Sequence, residues 1–155
     1  MNKDNTLILV RMDRGEEEPL YLFCRRVKDP WKGLYNFVGG KVEPNELPWV
    51  CAVRELKEET GIDVEGDGDF KIDLISRLTY YYKDNTILYE DDTNLNLWAY
   101  ALEVSKDTHV VPEKNPLVWL PLSYYYSHEF EFAGEGNVGM LIKYYERIRA
   151  MQYEN

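Results

Sequence analysis

Glu55, Glu58 and Glu59 put three carboxylates on little more than one turn of a single expected helix, shortly after the sequence Gly39–Gly40–Lys41. Side chains at i, i+3 and i+4 are neighbours on a helix surface, so their oxygens converge. Converging carboxylates suit hard, oxygen-seeking cations such as Mg2+ or Mn2+. The glycine pair lets the backbone approach closely, so one of its carbonyls could add a further oxygen ligand. Mg2+ keeps several waters and binds substrate phosphates beside one or two carboxylates. That is equipment for phosphate-ester or diphosphate chemistry: the cation polarises phosphoryl oxygens, and a carboxylate or a cation-activated water supplies the nucleophile. The competing reading is a solvated acidic face. Arg54 can pair with Glu58 at i,i+4, which leaves two carboxylates uncompensated.

The helix that carries them should begin after Asn45–Glu46 with Pro48 in its first turn, and end at Gly61 in a left-handed cap. At roughly 100° per residue, Trp49, Val50, Val53, Leu56 and Thr60 share one arc, and the three glutamates fall on about the opposite one. This gives one side for a core and one for a cation. Upstream, Thr6–Met12 and Leu20–Val27 read as antiparallel strands, and Asp29–Pro30–Trp31–Lys32–Gly33 as a loop. Leu34–Val38 is strand-like and delivers the chain to the glycines. Downstream, Phe70–Tyr82 is a long β-rich run broken at Lys83–Asp84–Asn85. Asn94–Leu102 and Leu117–Leu120 are further strands, and Gly139–Gln152 is a closing helix. With no repeat, linker or composition break, residues 1–155 read as one domain of the α/β class, a mixed sheet between helices.

The totals bound the function. At 155 residues, 45% hydrophobic and 30% charged, the chain reads as one soluble globular domain. A formal charge of −10 argues against a nucleic-acid polymer as partner. A phosphorylated small molecule remains open, because a divalent cation can carry the positive charge locally. Cys24 and Cys51 have neither metal-ligand nor redox spacing and are expected as free thiols. The N-terminus has no apolar signal region and no later run reaches membrane-spanning length, so no membrane partner and a cytoplasmic location are expected.

Gly40, then Glu46 after five residues, then after seven more Arg54–Glu55–Leu56–Lys57–Glu58–Glu59–Thr60–Gly61–Ile62, resembles the Nudix hydrolase box at every defined position. The resemblance implies the Nudix fold, an α/β/α sandwich. It implies Glu55, Glu58 and Glu59 as ligands of Mg2+ (or Mn2+), with the Gly40 carbonyl as a further one. Arg54 would orient the helix carboxylates and Glu46 would support the loop–helix geometry. Many members use another carboxylate from a distant loop. Glu113, six residues before Trp119, is the best match; Glu129, Glu131 and Glu135 are rivals, and an ordinary loop acid is the competing reading.

Outside the box the likeness is to the MutT-like group that acts on oxidised purine nucleoside triphosphates. Asn36, four residues before Gly40, matches its base-facing asparagine, and Asn137 resembles a second one. An amide offers a purine edge both donor and acceptor; a turn residue and a helix N-cap are the plainer readings of the two. Tyr35, Phe37, Trp119 and Phe132 could form a stacking wall, and Lys41 joins the substrate-binding set. The expected reaction is hydrolysis of a nucleoside triphosphate, 8-oxo-dGTP or a related purine nucleotide, to monophosphate and pyrophosphate, by a monomer or homodimer. A dinucleoside polyphosphate hydrolase is the main alternative, on the strength of Tyr80. An ADP-ribose hydrolase is less favoured, because no proline occurs between Asp63 and Thr93. A non-catalytic Nudix-fold binding domain is the remaining alternative, and the intact box carboxylates weigh against it.

Overall fold

The structure is a computed structural model that describes residues 1–29, 31–67, 70–83, 91–134 and 136–153. Pro30, Asp84–Asn85 and Glu135, which figured in the expected loops and among the rival acids, lie outside the described residues. The central strand is β1 (Asn2–Arg14). It is buried on both faces, as its unbroken apolar run requires. Leu7 and Leu9 point into one core cluster and Ile8, Val10 and Met12 into the other.

β5 (Thr93–Ser105) runs parallel to β1 along its whole length, from Asn2↔Asn94 to Asp13↔Ser105. β4 (Asp73–Tyr82) pairs antiparallel with β5 and closes that side of the sheet. On the other side β2 (Glu17–Arg25) meets β1 only at its second half, from Arg11↔Tyr21 onward. The first half of β1 is met instead by the glycine segment. The N–H of Thr6 donates to Gly40 O at 2.8 Å, that of Ile8 to Val38 O at 2.8 Å, and that of Val42 to Asp4 O at 2.9 Å. The strand expected over Leu34–Val38 is correspondingly short. Only Tyr35–Asn36 (β3) pairs with β2, and the chain then crosses to β1. β6 (Leu117–Pro121) also pairs with β2, antiparallel.

Helices cover both faces. α1 (Pro48–Thr60) and α2 (Val64–Asp67) pack Ala52, Leu56 and Val64 on the Ile8, Val10 and Leu22 side. α3 (Leu122–Ser127) and α4 (Asn137–Tyr153) pack Tyr125, Val138, Leu141 and Ile142 on the Leu7, Leu9 and Phe23 side. The three layers are those expected. The elements not anticipated, α2, α3 and a 3-10 turn at Glu129–Glu131, are too short to carry a helical period. No helix among the described residues is long and apolar enough to cross a membrane. Cys24 and Cys51 are buried free thiols.

Two non-glycine residues have left-handed backbone, Asn45 at φ 66° and Trp31 at φ 69°. Asparagine visits this region readily, whereas for a bulky side chain it costs roughly 1–2 kcal/mol. Trp31 is nevertheless fixed there by its turn. The N–H of Leu34 donates to Trp31 O at 3.0 Å, and Arg26 and the Gly33–Leu34 backbone exchange hydrogen bonds of 2.8 and 2.9 Å.

α4 is pinned by charge as well as by packing. Arg11, 6% exposed in the middle of the sheet, donates from Nε to Glu146 at 2.6 Å and from Nη1 to Glu103 at 3.1 Å. The Tyr21 hydroxyl also donates to Glu146, and Arg149 pairs with Glu103. Burial, and then the hydrogen bond to Glu146, hold the Tyr21 phenol far above its ordinary value. Glu146→Ala should therefore strand Arg11 and Tyr21, destabilising the fold by about 2–3 kcal/mol. Urea unfolding measures this, and a loss below about 0.5 kcal/mol would mark the network as an ordinary surface one.

Candidate active site

α1 starts with Pro48 at its first position and ends at Gly61, whose φ is 80° and whose N–H donates to Lys57 O at 2.9 Å. Its orientation corrects the expected division of faces. Cys51, Ala52, Leu56 and Thr60 are fully buried, while Trp49 is 47% and Val50 38% exposed. Glu55 and Glu59, expected opposite the core, are each only 8% exposed. Glu59 lies three residues, roughly 60° of rotation, from Leu56, so a helix that buries Leu56 must bring Glu59 to the core's edge. The first turn meets both the loop and the central strand through Cys51. Cys51 Sγ lies 3.3 Å from Lys41 O and 3.5 Å from Thr6 Oγ1.

Arg54 ties the carboxylates to the loop. Its Nε and Nη2 grip both oxygens of Glu46 at 2.8 and 3.0 Å. Nη1 reaches Glu55 at 2.9 Å and Glu58 at 3.4 Å, and Nη2 reaches Lys41 O at 3.2 Å. Glu46 in turn accepts the N–H of Glu43 at 2.9 Å. The hydrogen bond from Arg54 holds the Glu46 carboxyl down to about 2. At Glu55 burial raises the value and Arg54 opposes it. At Glu59 burial pushes the carboxyl up to about 7 against a hydrogen bond of 3.2 Å from the N–H of Gly39.

Gly39 is required sterically, and at Gly40 a side chain would displace the Glu55 carboxyl. A Cβ on Gly39, whose φ is 150°, would collide with the Thr6 carbonyl. On Gly40 it would lie 2.6 Å from the Glu55 carboxyl carbon. The loop is therefore clasped between β1 and the helix carboxylates.

Glu58, the most exposed of the three, also meets Lys114 at 3.4 Å. Lys114 belongs to a loop fixed at both ends: the N–H of Val111 donates to Thr60 O at 2.9 Å, and that of Arg25 to Pro116 O at 3.0 Å. Glu113 is exposed on this loop, beside Lys114. Glu129 and Glu131 lie on the 3-10 turn, where Glu131 accepts the Tyr124 hydroxyl at 2.7 Å.

Among the described residues no three His, Cys, Asp or Glu side chains form a ready-made cation cage, since Glu55 and Glu58 are held by Arg54 and Lys114. A divalent cation nonetheless fits the donors. They are all hard oxygens, and the Glu59 carboxylate is buried with a backbone N–H for compensation, so an added positive charge would relieve it.

A cavity of about 450 Å3 opens on the other side of the glycine loop. Its lining brings together Asn36, Lys41 and Asn137 of the expected substrate set, with Phe37 and Tyr80. Asn36 spends its Oδ1 on the N–H of Phe37 at 2.9 Å. Asn137 does not act as a helix cap: it is 6% exposed, and its Oδ1 has no hydrogen-bond partner among the described residues. Three expected stacking residues are elsewhere. Trp119 packs with the Ile8–Leu56 cluster, and Tyr35 packs on Phe132 with centroids 5.5 Å apart, under Arg25. Phe132 itself is core, edge-on to Phe23. Sequence reasoning missed Lys3, Arg26, Trp31 and Tyr82 in the lining. Of these, only Trp31, an aromatic in a turn-rich loop, left a signal that could have been followed.

Because Arg54 lowers Glu46 from an ordinary 4.5 to about 2, this pair should stabilise the fold fully above pH 4.5 and lose its effect as the pH falls towards 2. Glu46→Gln should melt at a lower temperature than the unaltered chain at pH 7, by the equivalent of about 1–2 kcal/mol. The gap should close on acidification; an equal gap at pH 7 and pH 2 would show lost packing, not lost charge.

A family model described as NUDIX domain matches residues 1–133. The chain is 26% identical over 134 residues to the 8-oxo-dGTP diphosphatase of Escherichia coli (strain K12), covering 86% of this chain and 94% of that protein. It is 44% identical over 64 residues to the 8-oxo-dGTP diphosphatase of Proteus vulgaris, an alignment that takes in 41% of this chain and 57% of the Proteus protein. Among solved structures, a C. elegans Ap4A hydrolase binary complex superposes with a TM-score of 0.68 over 96% of this chain and 98% of that one. At 17% identity that likeness is one of fold. The family match runs through β1, the glycine loop, α1 and β6, and the chain therefore belongs to the NUDIX domain family and is a hydrolase.

Proposed function

We propose that this chain hydrolyses a purine nucleoside triphosphate, with 8-oxo-dGTP the leading member, to the monophosphate and pyrophosphate with Mg2+ (or Mn2+). The observation that carries the reading is the buried, unpartnered Oδ1 of Asn137 in the same cavity as Asn36. A buried acceptor without a donor is unfavourable, and a nucleobase N–H is the group such a cavity can supply it. The names of the E. coli and Proteus relatives point the same way.

In this reading Glu55, Glu58 and Glu59, with the carbonyl of Gly40, would hold the cation. When bound it would supply positive charge to the phosphoryl oxygens and favour ionisation of an attacking water. The chain's own groups do the rest. Arg54 fixes the direction of Glu55 and Glu58, and Glu46 fixes Arg54. Lys41, between cavity and loop, balances phosphate charge. Asn36 presents its amide nitrogen and Asn137 its Oδ1 to the base. Glu113, beside Lys114 on the loop that reaches Glu58, accepts the proton of the water that attacks phosphorus, while the bond to the departing pyrophosphate breaks. The whole apparatus sits in one domain, and a cytoplasmic nucleotide pool is its natural source of substrate.

A dinucleoside polyphosphate is the second reading, favoured by Tyr80 and Tyr82, which line the cavity with ring centroids 6.5 Å apart. A substrate panel decides between them. With Mg2+, 8-oxo-dGTP should exceed dGTP in kcat/KM by at least about tenfold, the worth of one good hydrogen bond to a base edge. Diadenosine polyphosphates and ADP-ribose should be poorer. Glu58→Gln and Glu59→Gln should each lower kcat by about 100-fold or more, as expected where a charged ligand of the cation is lost. Parity of 8-oxo-dGTP with dGTP would remove the oxidised-base assignment, and a diadenosine polyphosphate as best substrate would install the second reading.

A further inference from the structure

We infer that Trp31 is a specificity-determining residue, an indole held in strained backbone so that it stacks on the nucleobase; this rests on the nucleotide reading above. Three observations meet at this residue. Its φ of 69° lies in the left-handed region that a bulky side chain adopts only when its surroundings impose it. The imposition comes from the β2–β3 turn, where Trp31 O accepts the N–H of Leu34 at 3.0 Å and Arg25 Nε donates to Gly33 O at 3.0 Å. Glycine would occupy such a position without strain, as Gly33 does two residues later at φ 84°.

The strain is not offset by core packing. Trp31 is half-buried yet belongs to neither hydrophobic cluster. It lines the cavity that also holds Asn36, Asn137, Tyr80 and Tyr82. Nor is the indole N–H spent, since it has no acceptor among the described residues. A flat apolar ring with a free donor edge, placed in a cavity with two amides, has the chemistry of a base-stacking wall. Stacking is indifferent to the base edge that the asparagines read, so Trp31 would favour the larger purine surface over pyrimidines, while the asparagines discriminate among purines. Strained residues persist at ligand-binding positions because the strained geometry is the one that binds.

The experiment measures binding of 8-oxo-dGMP, dGMP and dCMP by calorimetry without divalent cation, with thermal melting of each variant, so that turnover plays no part. Trp31→Gly should melt at the same temperature as the unaltered chain or higher, since the strain is removed. It should bind both purine monophosphates about tenfold or more weakly, the usual effect of losing one base–aromatic stack, with dCMP much less affected. Trp31→Phe should retain affinity within about threefold. Steady-state KM for the triphosphate should rise in Trp31→Gly with kcat changed little. Unchanged purine affinity in Trp31→Gly overturns the inference. So does a melting temperature lowered by more than about 5 °C in both variants, which would make the residue structural. A chain that binds purine monophosphates through Trp31 but turns over none of the triphosphates would sink the proposed reaction and leave this inference standing.

Discussion

The site depends on one guanidinium. Three glutamates within five residues of one helix repel one another, and two of them are pressed into the edge of the core. Arg54 makes this tolerable by binding four partners at once: Glu46 through both oxygens, Glu55, Glu58 and the carbonyl of Lys41. The planar fork of an arginine can do this in fixed directions, whereas a lysine ammonium would meet them as a point charge. Glu46 is the counterweight. Its two oxygens occupy Nε and Nη2, which leaves Nη1 alone to reach Glu55 and Glu58.

Around that arginine, the glycine loop is constrained from both sides. β1 demands a residue without a side chain at Gly39, and at Gly40 the Glu55 carboxyl occupies the space that a side chain would take. The two constraints come from different layers of the fold, one from the sheet and one from the helix. The same two residues line the cavity and touch the carboxylate cluster, through Glu55 and Glu59.

Much of this could be read in the chain beforehand. The layer order followed from β-runs on either side of a proline-started, glycine-ended helix. The carboxylate platform followed from the spacing of Glu55, Glu58 and Glu59 and the glycines before them. What could not be read was rotation about the helix axis. Trp49 and Val50 are more hydrophobic than Cys51 and Ala52, so hydrophobicity turned the first turn the wrong way. Of the small residues inside, Cys51 lies 3.3 Å from the loop carbonyl of Lys41, and Ala52 packs against the sheet with Ile8 and Leu56. The aromatic lining of the cavity was obscured for a different reason. With 13 tyrosines and 4 tryptophans in the chain, type alone cannot tell a stacking ring from a core one. Trp119, expected in the stacking wall, packs half-buried against a core cluster, whereas Trp31 is distinguished by a backbone angle that no sequence pattern displays.

The divided pairing of β1 has a consequence for how the protein opens. Because β2 leaves β1 at Arg11 and the glycine segment takes its place beside Thr6 and Ile8, the glycine loop is a rung of the central sheet. Loops that merely cover a site can fray independently at little free-energy cost, but a rung exchanges its amide hydrogens only when the surrounding cooperative unit opens. The amides of Thr6, Ile8 and Val42 should accordingly belong to the slowest-exchanging set in the molecule. A solvent-facing active loop would thereby share the lifetime of the innermost strand, and the carboxylates would remain aligned for as long as the protein stays folded.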